Sequence, residues 1–184
     1  MSELVFPSDA IADLDPNDQP REVFARYGLA MYEAQVLEHA VVNALTVIEF
    51  VPRANEFGSL EIWNNRFDAF LDEQFDFTFG NLVRRLIATN FLSNLLTEDL
   101  KAAKDLRDNL AHRFFRNFAE DFLTIAGSQK MVDFCDDSVR RFHTIDKALD
   151  AEMRPLRERL GLTDDWIAAR MAEDAARSGV EWAK

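Results

Sequence analysis

The sequence predicts an all-α protein: a four- to five-helix antiparallel bundle with a long C-terminal helix and a short terminal helix. Glycine (6) and proline (5) are scarce among the 184 residues, and an all-β fold needs many turns built from these residue types. Apolar residues recur three and four positions apart over long segments, as they do on the buried face of a helix. We expect a flexible acidic arm at 1–20, a bundle at 21–160 and a C-terminal helical extension at 161–184.

A long central helix is expected to follow the N-terminal arm. It begins near Arg21 and ends at about Val51, where Pro52 prevents its continuation. Apolar side chains cover much of its circumference, which is typical of a helix at the centre of a bundle. Gly28 lowers the helix propensity of this segment, so we expect it to permit a close approach of another backbone.

Further helices are expected after the first, joined by short connections that favour antiparallel packing of chain neighbours. They cover Leu60–Phe75, Thr78 (as N-cap) to about Phe91, Thr97 to about Ile125, Gln129 to about Leu160, and a short segment after Thr163. Gly127 and Ser128 are expected to separate the fourth helix from the fifth. Pro155 is expected to kink or shorten the fifth helix, and Gly161 suits the position just after its end.

The composition of the chain limits the cellular compartment and the classes of partner that we expect. The single cysteine, Cys135, forms no internal disulfide and fits a reducing compartment. Residues 1–20 lack the basic and apolar regions of a signal peptide, and no apolar run approaches the ~20 residues that span a bilayer. We therefore expect a cytoplasmic protein without a membrane partner. The net charge of −12 opposes broad binding to nucleic acid, so no DNA partner is expected and RNA binding requires a local basic patch.

The sequence contains no signature of a metal or cofactor site. Its three histidines are His39, His112 and His143, and no two of them have the HExxH spacing of a zinc enzyme. No Gly-rich phosphate loop and no GxSxG nucleophile motif is present. Adjacent acidic pairs point about 100° apart on a helix, which suits solvated faces better than paired-carboxylate catalysis. We expect neither a metal nor a cofactor.

The segment from Lys104 to Arg116 carries the chemistry that the rest of the chain lacks. Asp108 and His112 are four residues apart and share one helical face with Lys104 and Phe115. Arg107 lies about 140° away from His112 around an ideal helix, although its side chain is long enough to bend round. A symmetric dimer would bring two copies of this stripe together, so that two arginines and two histidines converge on one cleft.

Such a set suits RNA cleavage without a metal ion. A histidine takes the proton from a 2′-hydroxyl or gives one to the leaving 5′-oxygen. Arg107 would hold the phosphate through two donors and stabilise the charge that develops during transfer. Asp108 would orient the imidazole of His112 and keep it basic.

Arg107-Asp108-Asn109-Leu110-Ala111-His112 resembles the R-x4-6-H motif of HEPN domains, which are helical and often act as ribonucleases. The resemblance covers about residues 21 to 155, but only the motif is specific. It implies a homodimeric endoribonuclease of a toxin or defence system, with Arg107 and His112 catalytic and Asp108 as the supporting polar residue. The neighbouring polar residues Asn109, Arg113 and Arg116 are candidates for binding the RNA substrate.

One departure from the family pattern concerns control of the activity. HEPN toxins that pair with a nucleotidyltransferase antitoxin continue the motif as R-x4-H-x-Tyr, and the tyrosine is the target of inactivating modification. Phe114 occupies that position here and has no hydroxyl. The resemblance therefore implies an inhibitory protein partner, or no toxin role, in place of modification at this position.

Two further interpretations remain open at this point. Arg107, Asp108 and His112 also fit a surface helix with an ordinary i,i+4 ion pair, which contributes only ~0.3–0.5 kcal/mol. The whole chain also fits a non-enzymatic helical module that binds another protein through its acidic surface and C-terminal helix. The net charge of −12 favours this module, whereas the motif favours the nuclease.

Overall fold

The computed structural model describes residues 11–178 and contains six α-helices and no strand within that range. The all-α prediction is confirmed. The helices are α1 (Gln19–Leu45), α2 (Leu60–Phe75), α3 (Phe79–Ala88), α4 (Asn94–Asn117), α5 (Ile125–Arg159) and α6 (Asp164–Ser178). The second helix has the predicted bounds, and the side chain of Thr78 caps α3 as predicted by accepting from the backbone N–H of Asn81.

The first helix does not end at Pro52. The chain passes from α1 into one π-helical turn at Thr46–Phe50 and then into a 3-10 helix at Val51–Glu56. Proline is tolerated in the first turn of a helical segment, where its missing N–H has no intrahelical acceptor. The rings of Phe57, Trp63 and Phe67 pack around Phe50 at the end of this helical run.

Helices α1 and α5 form the centre of the bundle and run in parallel. Near their N-terminal ends, Arg26 lies 3.3 Å from Asp136. Further along, Ala44 and Val47 line one small cavity with Leu149 of α5. A parallel pair of helices needs a long connection, and α2, α3 and α4 supply it.

Helix α4 lies antiparallel to both central helices. The hydroxyl of Tyr27 on α1 donates to the carbonyl of Leu110 at 3.3 Å, and the Phe114 ring lies 6.0 Å from that of Phe134 on α5. The core consists of apolar side chains from α1, α3, α4 and α5, together with Ile11. Its largest fully buried members are Phe79, Phe114, Phe142, Ile11, Leu37, Leu45, Leu82, Leu86, Leu96, Leu100, Leu110 and Met131.

The expectation of a flexible arm at 1–20 is wrong for its second half. Ile11 is fully buried in the core, and its backbone N–H donates to the side-chain oxygen of Gln129 at 2.8 Å. A 3-10 turn at Ile11–Asp13 follows, and α1 begins at Gln19. Residues 1–10 lie outside the described part of the chain, as do residues 179–184 of the expected C-terminal extension.

The predicted boundary between the fourth and fifth helices is also wrong. Helix α4 ends at Asn117, and α5 begins at Ile125 with Thr124 as its N-cap. Gly127 therefore lies in the first turn of α5, where a Cβ would overlap the backbone of Asp121. The glycine permits a close approach of two chain segments and does not break the helix.

The end of α5 agrees with the position predicted for Gly161 from the sequence. Gly161 has φ of 78°, and the N–H of Leu162 donates to the carbonyl of Arg157 at 2.9 Å. This is a Schellman end, for which glycine at the left-handed position is suited. Pro155 lies inside the helix and does not end it.

One helical run in the described range, Gln19–Glu56, is long and apolar enough to cross a membrane by length and composition, with a mean hydropathy of 1.3 in its most apolar window. The expectation that no segment approaches this length was therefore wrong. Half of that window is buried inside the bundle. The central helix of a bundle needs an apolar surface for the same reason a membrane helix does, so the fold is compatible with a soluble protein.

Candidate functional site

An open groove of about 700 Å³ lies between α3 and α4 and contains both residues of the R-x4-H pattern. Its lining combines four long basic side chains with two carboxylates, a histidine and an apolar floor. The lining residues are Thr78, Gly80, Val83, Arg84, Ile87, Lys101, Lys104, Asp105, Arg107, Asp108 and His112.

The N-terminus of α4 is held by a cap that joins it to α5. Ser93 accepts from the N–H of Leu96 at 3.2 Å, and the N–H of Ser93 donates to the carboxylate of Glu152 at 2.9 Å. Leu100 and Leu110 face the core. This orientation turns the opposite, polar face of α4 toward the groove.

Helix α3 forms the other wall. Phe79 and Leu82 are buried in the core, so the opposite side of α3 faces away from the core. Gly80 faces α4, and a Cβ there would lie 3.5 Å from the side chain of Lys104. Arg84 is exposed one turn later and donates to the carbonyl of Gly80 at 3.3 Å. The two helices thereby bring basic groups from separate parts of the chain to one groove.

Arg107 lies at the border between the groove and α1. It donates to Asp108 at 3.1 Å and lies 3.9 Å from the carboxylate of Glu38 on α1. Its side chain is 26% exposed. Burial raises the pKa of Glu38 above its ordinary value, although Arg107 and His39 act in the opposite direction. The guanidinium therefore has partners on two sides while its side chain lines the groove.

Asp108 is paired with cations and not with His112. Its carboxylate lies 3.1 Å from Lys104, one turn earlier in α4, and accepts from Arg107. Partial burial tends to raise the pKa of Asp108, but the hydrogen bonds from Lys104 and Arg107 outweigh it and lower the pKa. Hydrogen bonds to Asp105 and Asp108 raise the pKa of Lys104. The expected orientation of the His112 imidazole by Asp108 is therefore not formed.

His112 is exposed and lines the same groove as Arg107 within one chain. Their helical positions are about 140° apart, and the sequence left two ways to bring them together, a bend of the long Arg107 side chain and a symmetric dimer. The groove reaches both because Arg107 is long and lies at the edge of the buried face. No ion pair or hydrogen bond of His112 is found among residues 11–178.

The residues expected to bind RNA are not those that line the groove. Arg113 and Arg116 are exposed on α4 but lie outside the lining. Asn109 is half-buried, and its side-chain oxygen is buried without a hydrogen-bond partner. Besides Arg107, the basic residues that the groove does contain are Arg84, Lys101 and Lys104.

Lys101 could have been found from the sequence, because it extends the helical stripe of Lys104, Asp108 and His112 by one turn toward the N-terminus. Arg84 gave no such signal, since its place depends on how α3 packs against α4. The result is a local excess of positive charge on a chain whose net charge is −12.

The other two histidines lie elsewhere. His39 is exposed, and its ring lies 4.9 Å from that of Phe75 on α2. His143 is half-buried on α5. Across the described range, 11–178, no three His, Cys, Asp or Glu side chains are grouped closely enough to hold a metal ion.

The chain matches no protein-family model, no curated protein and no solved structure.

Proposed function

We propose that this protein is a metal-independent endoribonuclease of the HEPN type, with Arg107 and His112 as its catalytic residues. The observation that carries the proposal is the shared groove, in which a histidine and an arginine lie beside three further basic side chains. A phosphodiester needs a base for the nucleophile and cations around the phosphate, and this groove offers both.

The proposed reaction is an internal transfer at phosphorus. The imidazole of His112 takes the proton from a 2′-hydroxyl, and the 2′-oxygen attacks the adjacent phosphorus. The bond from phosphorus to the 5′-oxygen breaks, and the leaving oxygen receives a proton from an imidazolium. Arg107 stabilises the negative charge that builds on the non-bridging oxygens. The products carry a 2′,3′-cyclic phosphate and a 5′-hydroxyl.

Asp108 has a different part in this proposal from the one expected. Because it is paired with Lys104 and Arg107, it fixes the arginine and does not act on the histidine. Arg84 and Lys101 hold phosphates that flank the cleaved one, since long cations in an open groove bind the backbone without regard to sequence.

The assembly and setting are part of the same proposal. A homodimer would supply a second His112 as the general acid, so that the base and the acid come from different copies. We place the enzyme in the cytoplasm, in a toxin or defence role. Phe114 is 1% exposed and lacks a hydroxyl, which supports control by a bound inhibitory protein and not by modification at that position.

The test is RNA cleavage in EDTA by the parent protein, His112→Ala and the matched control His143→Ala. His143 lies on α5, outside the groove lining. We expect cleavage by the parent and by the His143 variant, and none by the His112 variant. Equal cleavage by all three, or cleavage that EDTA abolishes, would contradict the proposal.

A second candidate function is a protein-interaction module without catalysis. Helix α2 favours it, because two apolar side chains at its N-terminal end, Leu60 and Ile62, are 74% and 50% exposed. Further along α2, the rings of Phe67 and Phe70 pack on Phe50. Such a module predicts binding of a partner protein that survives Arg107→Ala and His112→Ala together. The nuclease proposal, in contrast, does not require a partner protein to bind at α2.

A further inference from the structure

Two exposed aromatic rings and one half-buried ring form a patch on the surface of the bundle. Phe24 on α1 is 52% exposed and Phe115 on α4 is 40% exposed. Their ring centroids are 5.6 Å apart, and the ring of Phe122 lies 5.7 Å from Phe24 and 6.5 Å from Phe115. We call Phe24, Phe115 and Phe122 the aromatic patch.

The aromatic patch continues from one end of the groove. Phe115 is three residues after His112 in α4, so their Cβ atoms are ~5–6 Å apart on one helical face. The basic end of the groove, at Lys101, lies about 21 Å from Phe115 along the helix axis, from a rise of 1.5 Å per residue. His112 lies between the cationic end and the aromatic end.

The ring of Phe115 is held from beneath. Tyr27 lies 5.0 Å from it, and Phe114 meets it edge-on at 5.0 Å with an interplanar angle of 84°. Tyr27 is fixed in turn by its hydrogen bond to the carbonyl of Leu110. A flat ring held in place loses little conformational entropy on binding, which suits it for stacking.

We propose that the aromatic patch stacks a nucleobase of a single-stranded nucleic acid whose backbone lies in the groove. A phosphate at Arg107 and His112 would leave the adjoining base near Phe115. The adjacent cations favour a polyanion as the occupant, on a chain that is otherwise strongly acidic. Identification of the strand as RNA rests on the proposed function.

This arrangement selects single strands over duplexes. In a duplex the bases are already stacked on one another and their faces are closed to a protein ring. Stacking on an aromatic side chain tolerates any base, because every base has a π face. The patch therefore gives strand-type selectivity with little sequence selectivity.

The test measures binding without cleavage. The probe is a labelled single strand of about 10 nucleotides, with 2′-O-methyl groups that prevent attack by the 2′-oxygen. Its affinity for the parent, Phe115→Leu and Phe115→Trp is measured by fluorescence anisotropy. Leucine keeps apolar packing but removes the ring, whereas tryptophan keeps a ring. We expect binding about tenfold weaker for the leucine variant and close to parental for the tryptophan variant.

Matched controls make the result specific. Trp166 is 51% exposed on α6 and lies outside the groove and the aromatic patch, so Trp166→Leu is expected to bind as the parent does. Phe24→Leu provides a second variant in the patch, and circular dichroism with thermal melting confirms that each variant is folded. The same strand annealed to its complement is expected to bind equally to the parent and to Phe115→Leu.

Equal affinity of the parent and Phe115→Leu for the single strand would overturn the inference. A loss of self-association in sedimentation without a loss of binding would also overturn it and make the patch a contact between copies. The proposed function is judged separately by RNA cleavage. If binding depends on Phe115 but ordinary RNA is not cleaved, the stacking role of the patch is supported and the nuclease is rejected. If RNA is cleaved equally by the parent and by Phe115→Leu, the nuclease is supported and the stacking role is rejected.

Discussion

The carboxylate of Asp108 lies 3.1 Å from the ammonium group of Lys104, one turn before it in α4, and makes no corresponding pair with His112, one turn after it, among the described residues. Asp108 also accepts from Arg107 at 3.1 Å. The acid therefore neutralises part of the positive charge of the groove and fixes the arginine. It leaves the imidazole of His112 open to a substrate.

This pairing predicts the effect of Asp108→Asn. Loss of the negative charge leaves Lys104 and Arg107 less neutralised, so RNA binding at low salt is expected to tighten by the few-fold that one charge contributes. Anisotropy with an uncleavable RNA across a salt series measures it. Unchanged or weaker affinity would contradict the expectation that Asp108 neutralises the groove cations.

Removing a groove cation is expected to weaken RNA binding more than removing a cation outside the groove. Lys101→Gln should lower affinity about fivefold near 0.1 M salt, from a salt slope of about 0.7 per phosphate contact on single strands. Arg113→Gln, on the same helix but outside the lining, serves as the matched control. A larger loss of affinity for Arg113→Gln than for Lys101→Gln would indicate that RNA contacts the residues predicted from the sequence and not the groove lining.

Two glycines are expected to respond oppositely to alanine. A Cβ at Gly127 would overlap the backbone of Asp121, so Gly127→Ala should destabilise the fold by about 1–3 kcal/mol. Apart from the backbone of its own helix and its chain neighbours, nothing lies within 4 Å of the Cβ position of Gly28 in α1, so Gly28→Ala should stabilise the fold by about 0.5–1 kcal/mol. Urea unfolding measures both, and the same sign for both variants would contradict the packing described here.

Glu38→Gln is expected to change how stability depends on pH. Burial raises the pKa of Glu38 in the folded state above its ordinary value of 4.5, despite Arg107. The folded chain therefore holds this proton more tightly than the unfolded chain, and ionisation of Glu38 costs stability as the pH rises through the folded pKa. The glutamine variant should gain stability relative to the parent as the pH rises above the ordinary pKa of 4.5. A relative loss over that range would show that attraction to Arg107 outweighs burial.

Local signals in the sequence were sufficient for part of the fold. The bounds of α2 and the capping role of Thr78 follow from side chains that act on their own helix. Gly161 also ends α5 through its own backbone conformation. The close approach expected at Gly28 occurs instead at Gly127, and neither glycine breaks its helix. The space around a glycine depends on chain segments distant in sequence.

Contacts distant in sequence explain what else could not be predicted. Helix α4 begins at Asn94 and not at Thr97, because Ser93 is fixed as its cap by Glu152 on α5. In the site, the stripe from Lys104 to His112 followed from helical spacing alone. The presence of Arg84 beside it did not, since only the packing of α3 against α4 brings it there.

The ends of the RNA products test the central claim most directly. A labelled RNA is cleaved in EDTA, its new ends are identified, and the experiment is repeated with a 2′-O-methyl group at the cleaved nucleotide. Attack by the 2′-oxygen at Arg107 and His112 predicts a 2′,3′-cyclic phosphate and a 5′-hydroxyl, and no cleavage of the methylated RNA. Products with a 3′-hydroxyl and a 5′-phosphate, or equal cleavage of both RNAs, would contradict it.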